Sequence, residues 1–571
     1  MYDLIISHGR IVDGTGQPAY IGDVAIKHGK IVAVGDVDGD AERRIDASGY
    51  LVTPGWVDAH THFDGQASWD PQLSPAPLHG TTTALMGNCG VGFAPCKPNQ
   101  RDMLIRLMES VEDIPGTSLT EGITWEWETF PEYLDALEKM PRAIDVATQV
   151  PHCALRVFVM GERGANNEKA TDEDIRQMRE LAAEGLDAGA LGISTSQTKL
   201  HVTDAGDVVP GTYAAEDELM GIGEPLKGRD QGSYQIITDF EDWKKEMEWL
   251  KRLSIDTGRP VNYSLVFSGR EDDFQRMQAQ LAFAKEAEKD GAHLVAHVSS
   301  RPIMMLMSIE GTYHPFIAHE NYKELADLGV EERLQRLRDP AVKKRIVNEV
   351  LSEESQAFAD IFSNFEQAFP LSDPPNYEPA QEECVAAIAK RKGCKALEVA
   401  YDALLANDGK GVLYYPLYGY DTYSLDRQVE LLKDPSAVSS LADSGAHCSI
   451  LSDVSIPTYM LSYMARDRQR GEQLSVEWVV MQQTQRTARI IGLYDRGTLE
   501  PGMKADINII DFDRLQVGMP NIIYDLPAGG RRMMQTADGY IATLVSGEVI
   551  AENGCMTDRL PGKLIRGSQV A

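Results

Sequence analysis

The chain has 571 residues, 43% hydrophobic and 25% charged, without a low-complexity tract, so it can form a large core and at least one smaller unit. Its 55 basic and 87 acidic residues give a formal net charge of −32, which argues against nucleic acid and anionic membranes as partners. The N-terminus lacks the layout of a signal peptide, and no run of about 18 apolar residues predicts a membrane span. The seven cysteines contain no CxxC pair, so we expect a reduced, cytoplasmic protein.

Both ends of the chain predict short β-strands. Apolar and polar residues alternate there and the pattern breaks at glycine, as in HGRIV near Gly9 and SGEVI near Gly547. We therefore expect residues 1–54 and 495–571 to pair into one small β-sandwich. Residues 55–494 would then form an inserted domain.

The inserted domain alternates strand-like and helix-like segments. The strand candidates, one of which begins before the domain boundary, are residues 51–60, 82–86, 143–149, 155–160, 190–194, 234–238, 260–266, 293–298, 412–416 and 441–443. Helical patterns such as DEDIRQMRELAAEGLDAG lie between them and end near glycine, as a helix C-cap would. Repeated strand–helix units predict an α/β fold with parallel strands, and their number favours a TIM-like (β/α)8 barrel over a doubly wound sheet. Ten candidates exceed eight, so one or two should lie outside the ring.

Residues 303–404 interrupt this alternation. They are rich in charged residues at helical spacing, as in NYKELADLGVEERLQRLRDPAVKKRIVNEV. We interpret them as a helical insertion that serves as a lid or an oligomer surface, and we expect a homo-oligomer.

The stretch PGWVDAHTHFD places His60 and His62 one residue apart at the end of an apolar run. On a strand, residues i and i+2 share a face, so the two imidazoles could begin a metal site. A bare HxH is more often a pair of polar residues at a strand end. In a closed barrel, however, the first strand lies beside the last, whose candidate ends in Asp443 within LADSGAH. Two imidazoles and a carboxylate can bind a divalent ion that activates water, with the carboxylate taking the proton.

Other polar residues also close apolar strands. Cys89 in MGNCG is either a ligand or a small buried residue, and Asp239 is either a ligand or the N-cap of the next helix. Asp443 itself could be a turn or capping residue. His447 is better explained as a neighbour of the ligands than as a ligand.

Candidates for substrate contact follow two strands. Ser196, Lys199 and His201 follow GIST, and Arg301 in AHVSSRP could hold a substrate carboxylate or pair with the acidic insertion. His297 is predicted to be a satisfied core histidine. No strand–GxGxxG–helix pattern occurs, which disfavours a nucleotide-dependent dehydrogenase.

The ordered motifs resemble the amidohydrolase superfamily: PGWVDAHTHFD after an N-terminal β segment, DSGAH near the end, and GTLEPGMKADINIID returning to the sandwich. GNCGVG, GISTSQTKLH…VPGTYA and DLPAGGRR are similar to its N-acyl-D-amino-acid deacylase (D-aminoacylase) branch, from about residue 2 to residue 565. The resemblance implies a (β/α)8 barrel, a composite β-sandwich and a divalent metal, usually zinc. It implies His60 and His62 as first-strand ligands and Asp443 as ligand and general acid/base. Cys89 matches a cysteine that this branch uses as a metal bridge.

The sequence departs from that branch at the fifth and sixth strands. The branch supplies further histidine ligands there, whereas this chain has IITDF and VNYSLVFS. We therefore favour one ion at His60, His62 and Asp443, with Cys89 or Asp239 as additions and a second ion as the alternative. The predicted function is hydrolysis of a C–N bond in a small-molecule amide, most simply an N-acyl-D-amino acid. The alternatives are a cyclic amide, lactone or N-formyl substrate on the same scaffold, or a non-catalytic binding barrel.

Overall fold

The computed structural model describes residues 1–203, 206–266, 268–439 and 442–570. Five strands open the chain: Tyr2–Ile11 (β1), Tyr20–Lys27 (β2), Lys30–Gly35 (β3), Ala41–Asp46 (β4) and Leu51–Pro54 (β5). β1 pairs antiparallel with β2 and parallel with β4 and β5. Alternate side chains of β1 and β2, including Leu4, Ile6 and Val24, are buried in one apolar cluster, which explains the alternating sequence pattern.

A series of short parallel strands follows: Trp56–Asp58 (β6), Thr81–Met86 (β7), Asp145–Thr148 (β8), Val150–Pro151 (β9), Gly192–Gln197 (β10), Ser233–Thr238 (β11), Val261–Ser264 (β12) and Leu294–Val298 (β13). β6, β7 and β8 pair in that order, and β9 to β13 pair in chain order, with β8 and β9 separated only by Gln149. The predicted strand 51–60 is therefore wrong as one element. Gly55 divides it, because β5 pairs within the terminal sheet while β6 pairs with β7.

A separate antiparallel sheet contains Ile303–Met307 (β14) and Phe369–Pro370 (β15) of the insertion and Leu413–Tyr418 (β16), which lies just after it. The segment 412–416, predicted as a candidate for the parallel set, lies in this antiparallel sheet. The insertion thus contributes strands as well as helices.

The last parallel strand is Ala437–Ser439 (β17), which pairs with β13. The predicted strand 441–443 lies partly outside the described residues, which lack Ser440 and Leu441. In the part of the chain that the structure describes, a single parallel bridge, Thr61 to Ser444, joins the end of the first strand to the segment after the last.

The described C-terminal segment contains eight strands, some of which form separate two-stranded sheets. They are Ile507–Ile510 (β18), Gln516–Val517 (β19), Asn521–Leu526 (β20), Gly530–Met534 (β21), Ala537–Asp538 (β22), Tyr540–Val545 (β23), Glu548–Glu552 (β24) and Cys555–Met556 (β25). β18 pairs antiparallel with both β5 and β23, so strands from the two ends of the chain form one nine-stranded sheet.

Helices cover the parallel strands and build the insertion. They are Arg101–Glu112 (α1), Gly116–Gly122 (α2), Phe130–Lys139 (α3), His152–Met160 (α4), Glu162–Ala165 (α5), Asp172–Ala188 (α6), Glu216–Gly223 (α7), Trp243–Thr257 (α8), Glu271–Glu288 (α9), Glu320–Ala326 (α10), Val330–Leu337 (α11), Pro340–Val347 (α12), Glu353–Ile361 (α13), Val385–Lys392 (α14), Ala396–Leu404 (α15), Ala406–Gly409 (α16), Asp426–Leu432 (α17), Ile456–Tyr459 (α18), Val476–Met481 (α19) and Thr487–Ile490 (α20). The predicted strand 155–160 is wrong, because these residues form α4, whose apolar side chains are buried. A short apolar run does not distinguish a buried strand from a buried helix.

Among the described residues, no helix is both long enough and apolar enough to cross a membrane.

A buried cluster of salt bridges links the parallel strands to the terminal sheet. The Arg496 guanidinium lies 2.6 Å from the Asp145 carboxylate of β8, and Lys504 contacts both Asp145 (3.1 Å) and Asp506 (2.6 Å). Asp145 and Asp506 are each only 3% exposed, so removing one charge of the cluster would leave another charge buried without its partner.

Candidate metal centre

The histidine pair lies just beyond the first parallel strand. β6 ends at Asp58, and His60 and His62 follow it outside regular strand geometry, contrary to the prediction that both lie on the strand. Their backbones are held from two sides. The amide of His60 donates to Asp58 Oδ1 at 3.2 Å, and the amide of His62 donates to the carbonyl of Ser444 at 2.8 Å. Both imidazoles are buried and converge despite the irregular backbone.

Cys89 is held by a tight loop after β7. Its own φ of +53° lies in the left-handed region, which costs a non-glycine residue free energy and persists where neighbours enforce it. The Cys89 amide donates to Gln235 Oε1 at 2.9 Å, and the Gly90 amide donates to Ser194 Oγ at 3.0 Å. A Cβ on Gly90 would lie 2.9 Å from Thr195 Cα, so glycine is required for this close approach.

Asp443 reaches the pair from beyond the last strand. Its Oδ1 lies 3.3 Å from His60 Nε2 and 3.5 Å from His62 Nε2, and its side chain is 24% exposed. Asp443 also has a left-handed φ, +47°, which aspartate tolerates better than most residues. The contact joins the segment that follows the first parallel strand, β6, to the segment that follows the last, β17.

The donor atoms fit a divalent metal ion. The nearest ligand atoms of His60, His62 and Cys89 all lie within 4.8 Å of one another, and Cys89 Sγ is 3.3 Å from His60 Nε2. The His60 and His62 ring centroids are 5.4 Å apart, close to the separation of about 5 Å that two imidazoles have on one zinc ion. Nitrogen, thiolate and carboxylate donors suit zinc, and the exposed edge of Asp443 leaves a side open to substrate.

Glu112, the last residue of α1, is a site residue that the sequence reading missed. Its Oε1 lies 3.2 Å from His62 Nδ1, and its other oxygen lies 3.9 Å from His447 Nε2. A carboxylate behind a ligating imidazole fixes the orientation of the ring and raises its basicity. One feature of the sequence could have identified Glu112: it is an acidic residue four positions after Met108, on the apolar face of the helix RDMLIRLMESVE.

Burial and mutual charge set the protonation of the cluster. Burial lowers the pKa of His60 to about 4, even with Asp443 opposing it, and burial raises the pKa of the Cys89 thiol to about 11. For His62, burial lowers the pKa, but Glu112 and Asp443 outweigh it and the pKa lies well above its usual value. For Asp443, burial is outweighed by His62 and His60, which hold its pKa well below the usual range. The carboxylate is therefore ionised at neutral pH.

Two of the predicted substrate-contact residues lie beside this cluster. His201 Nδ1 is 3.1 Å from Ser196 Oγ at the end of β10. Burial, with the charges of His447 and His62, lowers the pKa of His201 to about 3, so its ring is neutral. A neutral imidazole here can donate or accept a hydrogen bond.

Asp239 and Lys199 have other partners. The Asp239 carboxylate accepts hydrogen bonds from Thr198 Oγ1 at 2.5 Å and from the Lys199 amide at 2.9 Å, so it shapes the loop after β10. The Lys199 ammonium pairs with Glu241 at 2.5 Å, on a side chain that is 51% exposed. Neither residue joins the His60–His62–Cys89 group found in the described part of the chain.

Arg301 is fully buried between two aromatic rings. Its Nη2 donates to Asp453 Oδ1 and to the Ser452 carbonyl, both at 2.8 Å, and its guanidinium lies 4.6 Å from the Tyr377 ring centroid. Nε and Nη1 have no hydrogen-bond partner among the described residues. Its ion-pair partner is thus Asp453 rather than the acidic insertion, and two donors remain for a ligand.

This architecture and the cluster of nitrogen, sulfur and carboxylate donors are those expected of a metal-dependent hydrolase. The model of the Amidohydrolase family matches residues 43–551, and the chain belongs to that family. An uncharacterized protein of Mycobacterium tuberculosis is 27% identical over 97% of this chain and 92% of its own length. The D-aminoacylase of Alcaligenes xylosoxydans xylosoxydans is 33% identical over 42% of this chain and 47% of its own.

Among solved structures, N-acyl-D-glutamate deacylase from Bordetella bronchiseptica, complexed with zinc and a phosphonate inhibitor, matches with a TM-score of 0.63. It is 22% identical and the match covers 99% of each chain. This likeness confirms the predicted D-aminoacylase-like fold.

Proposed function

We propose that this chain hydrolyses the amide bond of an N-acyl amino acid, with zinc held by His60, His62, Cys89 and Asp443 at the mouth of a closed (β/α)8 barrel. The convergence of these four side chains from three distant segments carries the proposal. The sequence relation to D-aminoacylase supports the choice of an N-acyl-D-amino acid as substrate.

The bound ion would supply Lewis acidity for the scissile carbonyl and for the attacking water. Asp443 then accepts the proton from that water, because its carboxylate is ionised and lies against both imidazoles. The same carboxyl group passes the proton to the departing nitrogen as the C–N bond breaks. Its partial exposure leaves it reachable from the substrate side.

His201 and Ser196 would orient the substrate near the reacting carbonyl. Their mutual hydrogen bond fixes the His201 ring, which is neutral and sits next to His447 and Asp443. A cavity of about 250 Å³ lies at the ends of β10, β11 and β12, lined by Leu200, Phe240, Leu265 and other residues. Its apolar wall would suit the acyl chain or an apolar amino-acid side chain, while Asp239, Arg270, Asp273 and Arg276 make the rest of the lining charged.

Arg301 would bind the substrate carboxylate through Nη1, one of its unpartnered donors. Nε and Nη1 lie on different edges of the guanidinium and Nη2 is already bonded to Asp453, so the carboxylate would accept a single charge-assisted hydrogen bond there. Asp453 already neutralises one side of the guanidinium, so the carboxylate would bind opposite Asp453.

The test is hydrolysis by the zinc-loaded full chain of matched N-acetyl-D- and N-acetyl-L-amino acids, beside N-acetyl amines that lack the carboxylate. We expect turnover of D-amino-acid amides, loss of at least about a hundredfold in kcat for Asp443→Asn, and a raised KM with little change in kcat for Arg301→Lys. Asp453→Asn is the companion variant for Arg301, because it changes the same ion pair without removing the donors. No turnover of any N-acyl amino acid by a chain that retains metal would refute the substrate assignment.

A further inference from the structure

The carboxylate of Asp113, the residue after Glu112, joins two segments that are distant in the sequence. Its Oδ2 accepts from the amide of Ser449 at 2.9 Å and from Ser449 Oγ at 2.6 Å. Its Oδ1 accepts from Thr312 Oγ1 at 3.2 Å. A carboxylate forms stronger hydrogen bonds than a neutral acceptor, so these contacts restrain both segments relative to the end of α1.

The end of α1 and the loop that carries Asp443 meet at successive residues. Residues 443–451 are called the Asp443 loop here. The amide of Cys448 donates to the carbonyl of Glu112 at 3.2 Å, and His447 Nε2 lies 3.9 Å from Glu112 Oε2. The Asp443 loop therefore contacts both the backbone and the side chain of Glu112.

The insertion contacts the same loop. The amide of Leu306 donates to the carbonyl of Ile450 at 2.7 Å, and Thr312 Oγ1 lies 2.5 Å from Ser449 Oγ. A Cβ on Gly311 would lie 3.3 Å from the Ser449 carbonyl oxygen, so the backbone of the insertion approaches the loop closely. These contacts attach the start of the insertion to the Asp443 loop.

The backbone at this junction needs external support. Asp113 has a φ of +51°, and Asp443 and His447 each have a φ of +47°, all in the left-handed region. Such conformations cost a non-glycine residue free energy and persist where surrounding contacts enforce them. The Asp113 carboxylate supplies such a contact, because it bonds the helix end, the loop and the insertion to one another.

We propose that Asp113 is a positioning residue through which the insertion supports the metal centre. It holds the Asp443 loop against the end of α1, which keeps Glu112 behind His62 and Asp443 beside the histidine pair. This inference rests on the proposed function, because it assumes that a metal ion binds at those residues. The insertion then contributes to metal binding through Thr312, in addition to any role as a cover.

Two substitutions separate the side chain of Asp113 from its backbone conformation. Asp113→Gly removes the side-chain hydrogen bonds, while glycine readily adopts the left-handed φ after a helix. Asp113→Asn is the conservative variant, because asparagine tolerates this φ and its amide oxygen can accept both bonds from Ser449. Its amide group can then donate to Thr312 Oγ1. Asparagine should therefore preserve what glycine removes.

The experiment measures cobalt affinity of the full chain and the visible absorption of bound cobalt, which reports ligand geometry. Asp113→Gly should weaken cobalt binding at least about threefold and change the absorption bands, whereas Asp113→Asn should stay within about twofold of the wild type. Thr312→Val should change affinity in the same direction as Asp113→Gly. Combined with Glu112→Gln, Asp113→Gly should weaken binding by less than the product of the two single effects, because both act on the same contact with His62.

The control variants are Asp339→Asn and Ser352→Ala. Both residues are exposed and cap helices of the insertion, where Asp339 accepts from the Ala341 amide at 2.8 Å and Ser352 from the Ser355 amide at 3.1 Å. Both variants should keep the cobalt affinity and absorption of the wild type. Far-UV circular dichroism checks that each variant is folded. If Asp113→Gly does not fold, Ser449→Ala with Thr312→Val replaces it with the same expected result.

The outcomes separate the two proposals. A wild-type chain that binds no cobalt overturns the proposed function and this inference with it. Wild-type affinity and absorption in folded Asp113→Gly overturn the role of Asp113 alone. The same conclusion follows if glycine and asparagine weaken binding equally, or if the effects of Asp113→Gly and Glu112→Gln multiply fully.

Discussion

Glu112 gives the sharpest single test of the proposed metal centre, because it contacts the proposed ligand His62 and lies outside the donor cluster itself. Glu112→Gln keeps the size of the side chain and removes the charge that lies 3.2 Å from His62 Nδ1. Two unit charges at that distance interact by about 5 kcal/mol at an effective dielectric constant of about 20, before the desolvation of two buried groups offsets most of it. Carboxylates behind metal-bound histidines typically contribute about 10- to 100-fold in metal affinity, which corresponds to about 1.4–2.7 kcal/mol.

Proton competition adds a pH dependence to this loss. Glu112 raises the pKa of His62 in the metal-free chain, so in the wild type the metal must displace a proton that the variant holds less tightly. The affinity gap between wild type and Glu112→Gln should therefore be smaller at pH 6 and larger at pH 9. Competition with a chromophoric chelator measures both affinities, and Asp102→Asn on the exposed face of the same helix is the control. Equal zinc affinity of wild type and Glu112→Gln at pH 9 would refute the reasoning.

Three further predictions follow from the described contacts. Zinc binding at pH 7 should release about two protons, one from the Cys89 thiol, whose pKa is about 11, and one from protonated His62. Calorimetry in buffers of different ionisation enthalpy counts the released protons. Zinc binding without proton release would contradict the assignment of Cys89 and His62 as ligands. Cys89→Ala should lower zinc affinity more than Cys153→Ala, which removes a nearby buried thiol that donates to a carbonyl instead; equal effects would exclude Cys89 as a ligand. Asp145→Asn should lower the free energy of unfolding by about 3–5 kcal/mol, because Arg496 and Lys504 lose a buried partner.

The Asp145 contribution also has a defined pH window. Burial raises the pKa of this carboxyl, but Lys504 and Arg496 outweigh burial and lower it to about 2, against 3.8 for the free group. The stabilisation is therefore complete above about pH 4 and is lost as the pH falls towards 2. Denaturant unfolding across this range measures it. Asp187 pairs with Arg229 but is itself 70% exposed, so Asp187→Asn should change stability by no more than about 1 kcal/mol.

Sequence patterns predicted the elements whose period is long and regular. The helices Asp172–Ala188 and Trp243–Thr257 end at Gly189 and Gly258 as expected, because their apolar spacing and C-cap glycines are local properties. The prediction of a strand at residues 155–160 is wrong because this segment is short and has no regular apolar spacing. Five apolar residues around Arg156 carry no period that separates strand from helix, and only packing decides between them.

The site was predictable where its residues form a motif and not where they depend on tertiary contacts. His60, His62, Cys89 and Asp443 stand in short recognisable stretches, and the fold brings them together. Glu112 carries no motif, because its function comes from the docking of α1 against the histidine pair. Asp239 has a strand-end position that suggested a ligand, and in the structure its carboxylate accepts two hydrogen bonds from the loop after β10, so its ligation of a metal stays a prediction.

The middle strands explain how the centre is held although they lack the expected histidines. Resemblance to the D-aminoacylase branch predicts a histidine ligand on the fifth parallel strand of the barrel. In this chain the fifth parallel strand is β11, and the side chain that it turns to the interior is Gln235. Its amide oxygen accepts the backbone hydrogen bond of Cys89, whose left-handed φ requires an external constraint. The strand thus positions Cys89, a proposed ligand, and does not supply a histidine ligand of its own.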